Sequence, residues 1–95
     1  MSVFLVLYTY GADDATRMEV RPKHRAWLST QQETGALLAA GAYSDDKPAG
    51  AGLVIEAESE DAVRELLTHD PYRAAGVIDN TEIRQWGLVL GTWTE

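Results

Sequence analysis

The chain has 95 residues, 45% of them hydrophobic and 24% charged, with no cysteine and a formal net charge of −7. That length supports one domain, taken as residues 1–95, and burial of only about 60–65% of the surface the unfolded chain exposes. The lack of thiols rules out disulfides and zinc–thiolate sites, and the acidic balance argues against a nucleic-acid partner, whose affinity rests on basic side chains.

Ser2–Tyr10 is rich in Val, Leu, Phe and Tyr and has the length and composition of a strand. The leading MSVFLVLYTYG is apolar, but it lacks a basic region and is too short for a signal peptide or a membrane span. The expected setting is therefore the cytoplasm, with no membrane partner. Ala12–Val20 is acidic and mixed, with room for a short helical turn opened by Asp13 and Asp14. Pro22 suits the first position of a helix, where its missing N–H costs nothing. The helix is then expected to run to Thr34 and to stop at Gly35 in a left-handed conformation. On it, His24, Trp27, Leu28 and Gln31 share a face by the i, i+3, i+4, i+7 rule.

Ala36–Tyr43 reads as a second strand, weakened by its alanines and Gly41, and Ser44–Ala49 as a loop. Gly50–Ala57 is the third strand. Ser59 is a good N-cap for a helix whose Ala62, Val63, Leu66 and Leu67 form one apolar face. Asp70-Pro71 breaks that helix, and Asp70 can cap a brief new turn that Gly76 closes. Glu82–Leu90 is expected as the last strand, with Gly87 a possible bulge and Trp86 in the sheet core or at a dimer contact. The order βαββαβ predicts a ferredoxin-like α+β fold: one antiparallel sheet with two helices on one face. The other face is left bare, and a second copy of the chain is the simplest cover.

Two residues stand out for chemistry. His24 follows Arg21 by one turn and precedes Trp27 and Leu28, so a titratable imidazole sits between a cation and apolar walls. A histidine of this kind serves either as packing on Trp27 or as an acid or base near neutral pH. Asp70 is a natural cap for Pro71, and a spare carboxylate oxygen could also orient an imidazole and fix its tautomer. Tyr8, Tyr10, Tyr43 and Tyr72 serve as packing or as cavity lining; Tyr72 joins Arg21 and Trp27 as the expected ligand contacts. Asp45 and Asp46 are expected to be solvated. His69 adjoins Asp70 without metal-ligand spacing, so a metal site built on His24, His69 and an aspartate is a minor alternative. Gly50-Ala51-Gly52 enters a strand and is no phosphate loop.

At RPKHRAWL, at GALLAAG and at DPYRAAGV the chain resembles the YciI-like (YCII-related) family. The family's R-P-x-H-x-x-x-L falls on Arg21 to Leu28, G-x-L-L-x-x-G on Gly35 to Gly41, and D-P-[YF]-x-x-A-G-[VL] on Asp70 to Val77. The match is collinear over nearly the whole chain. The resemblance implies a ferredoxin-like fold pairing as a dimeric α/β barrel, with His24 and Asp70 as the active-site pair. One branch of the family resembles a dehydrochlorinase acting on a chlorinated hydroxyquinol. The segment AYSDDKPAG after Gly41 is shorter than in some members, so no substrate is carried over.

The expected function is a cofactor-independent enzyme. It would use His24 and Asp70 for proton transfer on a small cyclic or hydroxylated compound, by elimination, isomerisation or similar. The alternative is a non-catalytic dimeric module that binds a metabolite or a protein. The enzyme requires His24 and Asp70 within hydrogen-bond reach at a cavity wall; the binding module expects them apart, or His24 packed dry against Trp27.

Overall fold

A computed structural model describes residues 1–91. Four strands form one antiparallel sheet: β1 (Ser2–Tyr10), β2 (Leu37–Ala42), β3 (Gly50–Ala57) and β4 (Ile78–Gln85), in the order β2-β3-β1-β4. Three helices join them: α1 (Asp14–Glu33), α2 (Glu60–Leu67) and the single turn α3 (Pro71–Ala74). This is the ferredoxin-like fold. Strand alternation sorts the side chains. Phe4, Val6 and Tyr8 of β1 and Ala51, Leu53 and Ile55 of β3 are buried, while Val3, Leu5, Leu7 and Val54 on the opposite face are only half-buried. Val63 and Leu67 of α2 complete the core with Leu37. Among the described residues no helix is long and apolar enough to cross a membrane.

The helix carrying His24 starts two turns earlier than expected. Asp13 is its N-cap: the carboxylate accepts the Thr16 N–H at 3.0 Å and the Thr16 hydroxyl at 2.7 Å. Those bonds hold the Asp13 carboxyl below its ordinary pKa. Pro22 is therefore inside the helix rather than at its first position. An interior proline costs about 3 kcal/mol relative to alanine, and the packing of a twenty-residue helix outweighs it. The exit matches the sequence: Gly35 has φ +88°.

The last strand also differs from expectation. It spans Ile78–Gln85, beginning directly after α3 and ending before Trp86. The Trp86 N–H still reaches the Val3 carbonyl at 2.8 Å, but its side chain is 40% exposed, so it is not sheet core. Asp79 and Asn80, both poor strand formers, hid the true start. Elsewhere the sequence reading holds: β1 and β3 fall on the expected bounds, and Ser59 Oγ accepts the Ala62 N–H at 3.1 Å at the start of α2.

Gly50, opposite Thr9 in the β1–β3 ladder, has no room for a side chain. A Cβ there would collide with the Tyr8 carbonyl oxygen and lie 2.8 Å from the Tyr43 ring. A clash with backbone cannot be relieved by a rotamer change. Gly50→Ala is expected to lower stability by about 2 kcal/mol or more, read as a shift in the urea midpoint with little change in slope.

Candidate functional site

The site is built where β1, α1 and α3 converge. Asp70 is the N-cap of α3, and the adjoining Pro71 has no N–H to offer it. Asp70 Oδ1 instead accepts the next amide, that of Tyr72, at 2.9 Å. The same oxygen lies 2.7 Å from His24 Nδ1, across 46 residues of sequence. Its other oxygen, Oδ2, accepts the Tyr8 hydroxyl from the middle of β1 at 2.9 Å. Asp70 is 1% exposed and His24 6%, so both oxygens depend on protein donors.

The network assigns the imidazole tautomer. An amide N–H can only donate, and the Tyr8 hydroxyl donates to the second oxygen, so Asp70 acts as acceptor throughout. The proton of the His24–Asp70 contact belongs on Nδ1, and in the neutral ring Nε2 carries the free lone pair. The ring is also held flat: Tyr72 stacks on it with centroids 3.8 Å apart and planes 8° from parallel. Trp27 is more distant, at 6.5 Å and 30°.

His24 forms part of the wall of a cavity of about 190 Å³ between α1 and the sheet. Arg21, Arg25 and Leu28 line it from α1, Tyr10 from β1, and Ala42 and Leu53 from β2 and β3. A second hollow of about 190 Å³ shares Tyr10, Arg21 and Ala42 with it and adds Arg17 and Tyr43. A larger one, about 470 Å³, extends toward the C-terminal end of α1 and shares Arg25, Leu28 and Ala40. Small residues on β2 make this trough: Ala40, Gly41 and Ala42 leave space beneath α1 that larger side chains would fill.

Of the residues read from the sequence, His24 and Asp70 are in direct contact and Arg21 lines the His24 cavity. Tyr72 lies behind the imidazole and Trp27 packs against the core; neither is among the residues lining that cavity. His69 is exposed and 3.8 Å from Glu65, and among the described residues no three His, Cys, Asp or Glu side chains form a metal-ligand group. The role of Tyr8 was missed. Its signal was positional: Phe4, Val6 and Tyr8 share the buried face, and a phenol tip on that face needs a partner.

Burial, then the neighbouring Asp70, push the Tyr8 phenol far above the ordinary tyrosine range. Burial, then Tyr72 and Asp70, push Tyr10 up to about 12, although Arg17 and Arg21 oppose the rise. Tyr72 is raised mainly by burial, against the same two arginines. All three are neutral phenols at physiological pH.

Residues 1–87 match the YCII-related domain family. Protein YciI of Escherichia coli O6:H1 is 34% identical over 90% of this chain and 97% of its own length; Protein YciI of Shigella flexneri gives the same figures. A solved 5-chloro-2-hydroxyhydroquinone dehydrochlorinase from Burkholderia phenoliruptrix AC1100, in complex with 2,5-dihydroxybenzoquinone, is 25% identical with a TM-score of 0.77, covering 88% of this chain and 92% of that one. SnoaB, a cofactor-independent oxygenase from Streptomyces nogalater, shares the fold at 15% identity and a TM-score of 0.58, covering 97% of this chain and 96% of that one. The fold is thus one on which small-molecule enzymes are built.

The Tyr8 hydroxyl can be tested through stability. Tyr8→Phe removes a donor from a buried carboxylate, an expected loss of about 1–3 kcal/mol. The folded phenols hold their protons at pH values where an unfolded tyrosine, near 10, has lost its own. Stability is therefore present in full below pH 10 and falls as pH rises from there toward the raised folded values. Urea midpoints from pH 8 to pH 11 should fall above pH 10 in the wild type and fall less steeply in Tyr8→Phe.

Proposed function

This chain belongs to the YCII-related domain family, and from that premise we propose that it is a cofactor-independent enzyme. Its reaction moves a proton on a small cyclic or hydroxylated compound, by elimination or isomerisation. The observation that carries this reading is the 2.7 Å contact between His24 Nδ1 and a triply hydrogen-bonded Asp70, made by an imidazole in a cavity wall. His24 Nε2 removes a proton from a carbon or hydroxyl of the compound. Asp70 keeps Nδ1 protonated and stabilises the imidazolium that forms; the same imidazolium then returns the proton or delivers it to a leaving group. Arg21, in the cavity wall, or a backbone amide stabilises the oxyanion that develops when a proton leaves beside a carbonyl. Tyr72 stacks the ring in place.

The relative in complex with 2,5-dihydroxybenzoquinone supports a hydroxylated ring compound as the class of ligand. The reading as a binding module without chemistry expected a histidine apart from the aspartate or packed on Trp27. Neither arrangement is found.

The proposed assembly is a homodimer. Val3, Leu5, Leu7 and Val54 leave an apolar stripe on the sheet face away from the helices, and a second copy laid on it gives the α/β barrel that the family resemblance implies. Sedimentation of the wild type should give twice the monomer mass, and Leu5→Glu should shift it toward monomer; a wild-type monomer at micromolar concentration would overturn the pairing.

Proton abstraction has a test that needs no knowledge of the natural substrate. Hydroxylated cyclic ketones and quinols are incubated in deuterated buffer with the protein, and wash-in of deuterium is followed by NMR. His24→Gln should lower the exchange rate by about 10²–10⁴-fold. Asp70→Asn should lower it by at least about 10²-fold, because an amide can donate to Nδ1 and invert the tautomer. Both variants should remain folded by circular dichroism. Undiminished exchange in His24→Gln would remove His24 from the chemistry.

A further inference from the structure

Arg17, Arg21 and Arg25 stand four residues apart on α1, so they form one row along the helix. They line the trough beside His24: Arg17 and Arg21 the hollow beyond Tyr10, Arg21 and Arg25 the cavity of the imidazole. This is three of the eight lysines and arginines of a chain with net charge −7. The acidic groups near the row do not neutralise it. Asp14 takes Arg17 Nη2 at 3.2 Å but is itself largely exposed, and among the described residues Arg21 has only the Met18 sulfur, at 3.7 Å.

Arg17 is the unusual member. Its side chain is 13% exposed and its guanidinium lies 4.8 Å from the centroid of the Tyr10 ring. Among the described residues, Arg17 Nη1 is the one buried side-chain nitrogen or oxygen without a hydrogen-bond partner. A buried N–H of a cation left unpaired is costly, so a guanidinium held this way at a pocket wall fits an acceptor that arrives from outside the chain. Tyr10, a neutral phenol over which Arg17 stacks, and the half-exposed Tyr43 line the same hollow.

The spacing fits a ring. His24 is three positions along the helix from Arg21, a rise of about 4.5 Å, and Arg21 is four from Arg17, about 6 Å. An anion between Arg17 and Arg21 thus lies about one six-membered ring away from the imidazole. We infer that the compound handled by this site is an organic acid: its carboxylate is held by Arg17 and Arg21 in the hollow under Tyr43, and its ring extends into the cavity toward His24. This inference rests on the proton-transfer reading for the role of the ring and adds the substrate's charge and orientation.

The test is a pair of near-isosteric probes, the anion 3-hydroxybenzoate and the neutral 3-hydroxybenzamide, titrated into the protein by calorimetry at low salt. The acid should bind at least about tenfold tighter than the amide, as charge-assisted pairing to guanidinium implies. Arg17→Met should abolish that preference and leave the amide unchanged. Arg17→Lys should keep part of it, which separates lost charge from lost packing. Arg21→Gln provides a second route to the same loss should Arg17→Met fail to fold. Equal affinities in the wild type, no binding of the acid at millimolar concentration, or a preference that survives in every folded variant would overturn the inference. His24→Gln should retain the acid preference, so the two readings fail separately. Loss of the preference with His24-dependent exchange intact sinks only the carboxylate site; a preference without exchange sinks only the proton transfer.

Discussion

A carboxylate buried to 1% exposure must have its acceptor capacity filled, and in this chain three elements fill it. Asp70 takes the hydroxyl of Tyr8 from β1, the imidazole of His24 from α1 and the amide of Tyr72 from α3. Each donor is fixed by its own local rule. Tyr8 follows from strand alternation, His24 from helical periodicity, and the Tyr72 amide from the missing N–H of Pro71. No one of these rules brings the groups together. What does is the cost of an unsatisfied buried carboxylate, which makes the convergence of sheet and helices a condition of burying it at all. The same bonds that lock α3 against β1 also set the ring of His24, so fold and site share one set of interactions.

Much of this was legible in the sequence because the signals were local. Ser2–Tyr10 and Gly50–Ala57 are strands by composition and punctuation, and Ser59, Asp70 and Gly35 act where capping physics puts them. The errors came where two local rules competed. Pro22 is an excellent first helical residue, and so is any residue after a capping aspartate; Asp13 with Thr16 won, and the proline was absorbed into a long helix. At the C-terminal end, apolar Trp86 to Leu90 outweighed polar Asp79 and Asn80 in the strand reading, yet the ladder to β1 runs over the polar stretch. There the pairing partner decides, because an edge strand is set by the register of its neighbour more than by its own propensity. The contact of His24 with Asp70 joins side chains 46 residues apart, beyond the reach of any local rule. The Tyr8 bond and the lining by Ala42 and Leu53 required the sheet register, which no single segment encodes.

The charge of the chain carries a related lesson. A net charge of −7 describes the whole surface and argues against a polyanionic partner, but it says little about a site a few ångströms across. The row of Arg17, Arg21 and Arg25 opposes that average on one wall of one trough, and its field is felt where it counts. Arg17 and Arg21 are the groups that hold down the pKa rise of Tyr10 and Tyr72 against burial. A site can therefore be cationic inside an acidic protein, with low-dielectric walls that keep the bulk charge from screening it.

The division between a buried network and an open trough bears on how related folds host different reactions. A dehydrochlorinase and an oxygenase share this sheet-and-helix frame, so the frame alone selects no chemistry. In this chain the imidazole–carboxylate contact is anchored in the buried layer, with Tyr8, Asp70 and Tyr72 almost fully enclosed. The trough is instead walled on one side by β2, whose residues from Ala39 onward are small and exposed, and by the loop that follows it. Substitutions there alter shape and charge at the ligand without touching the Asp70 bonds. Selection on that rim is therefore nearly free of stability cost, whereas any change to the buried triad of donors must be compensated inside the core. That asymmetry fixes the imidazole–carboxylate pair in the core and leaves the trough before it open to change in shape.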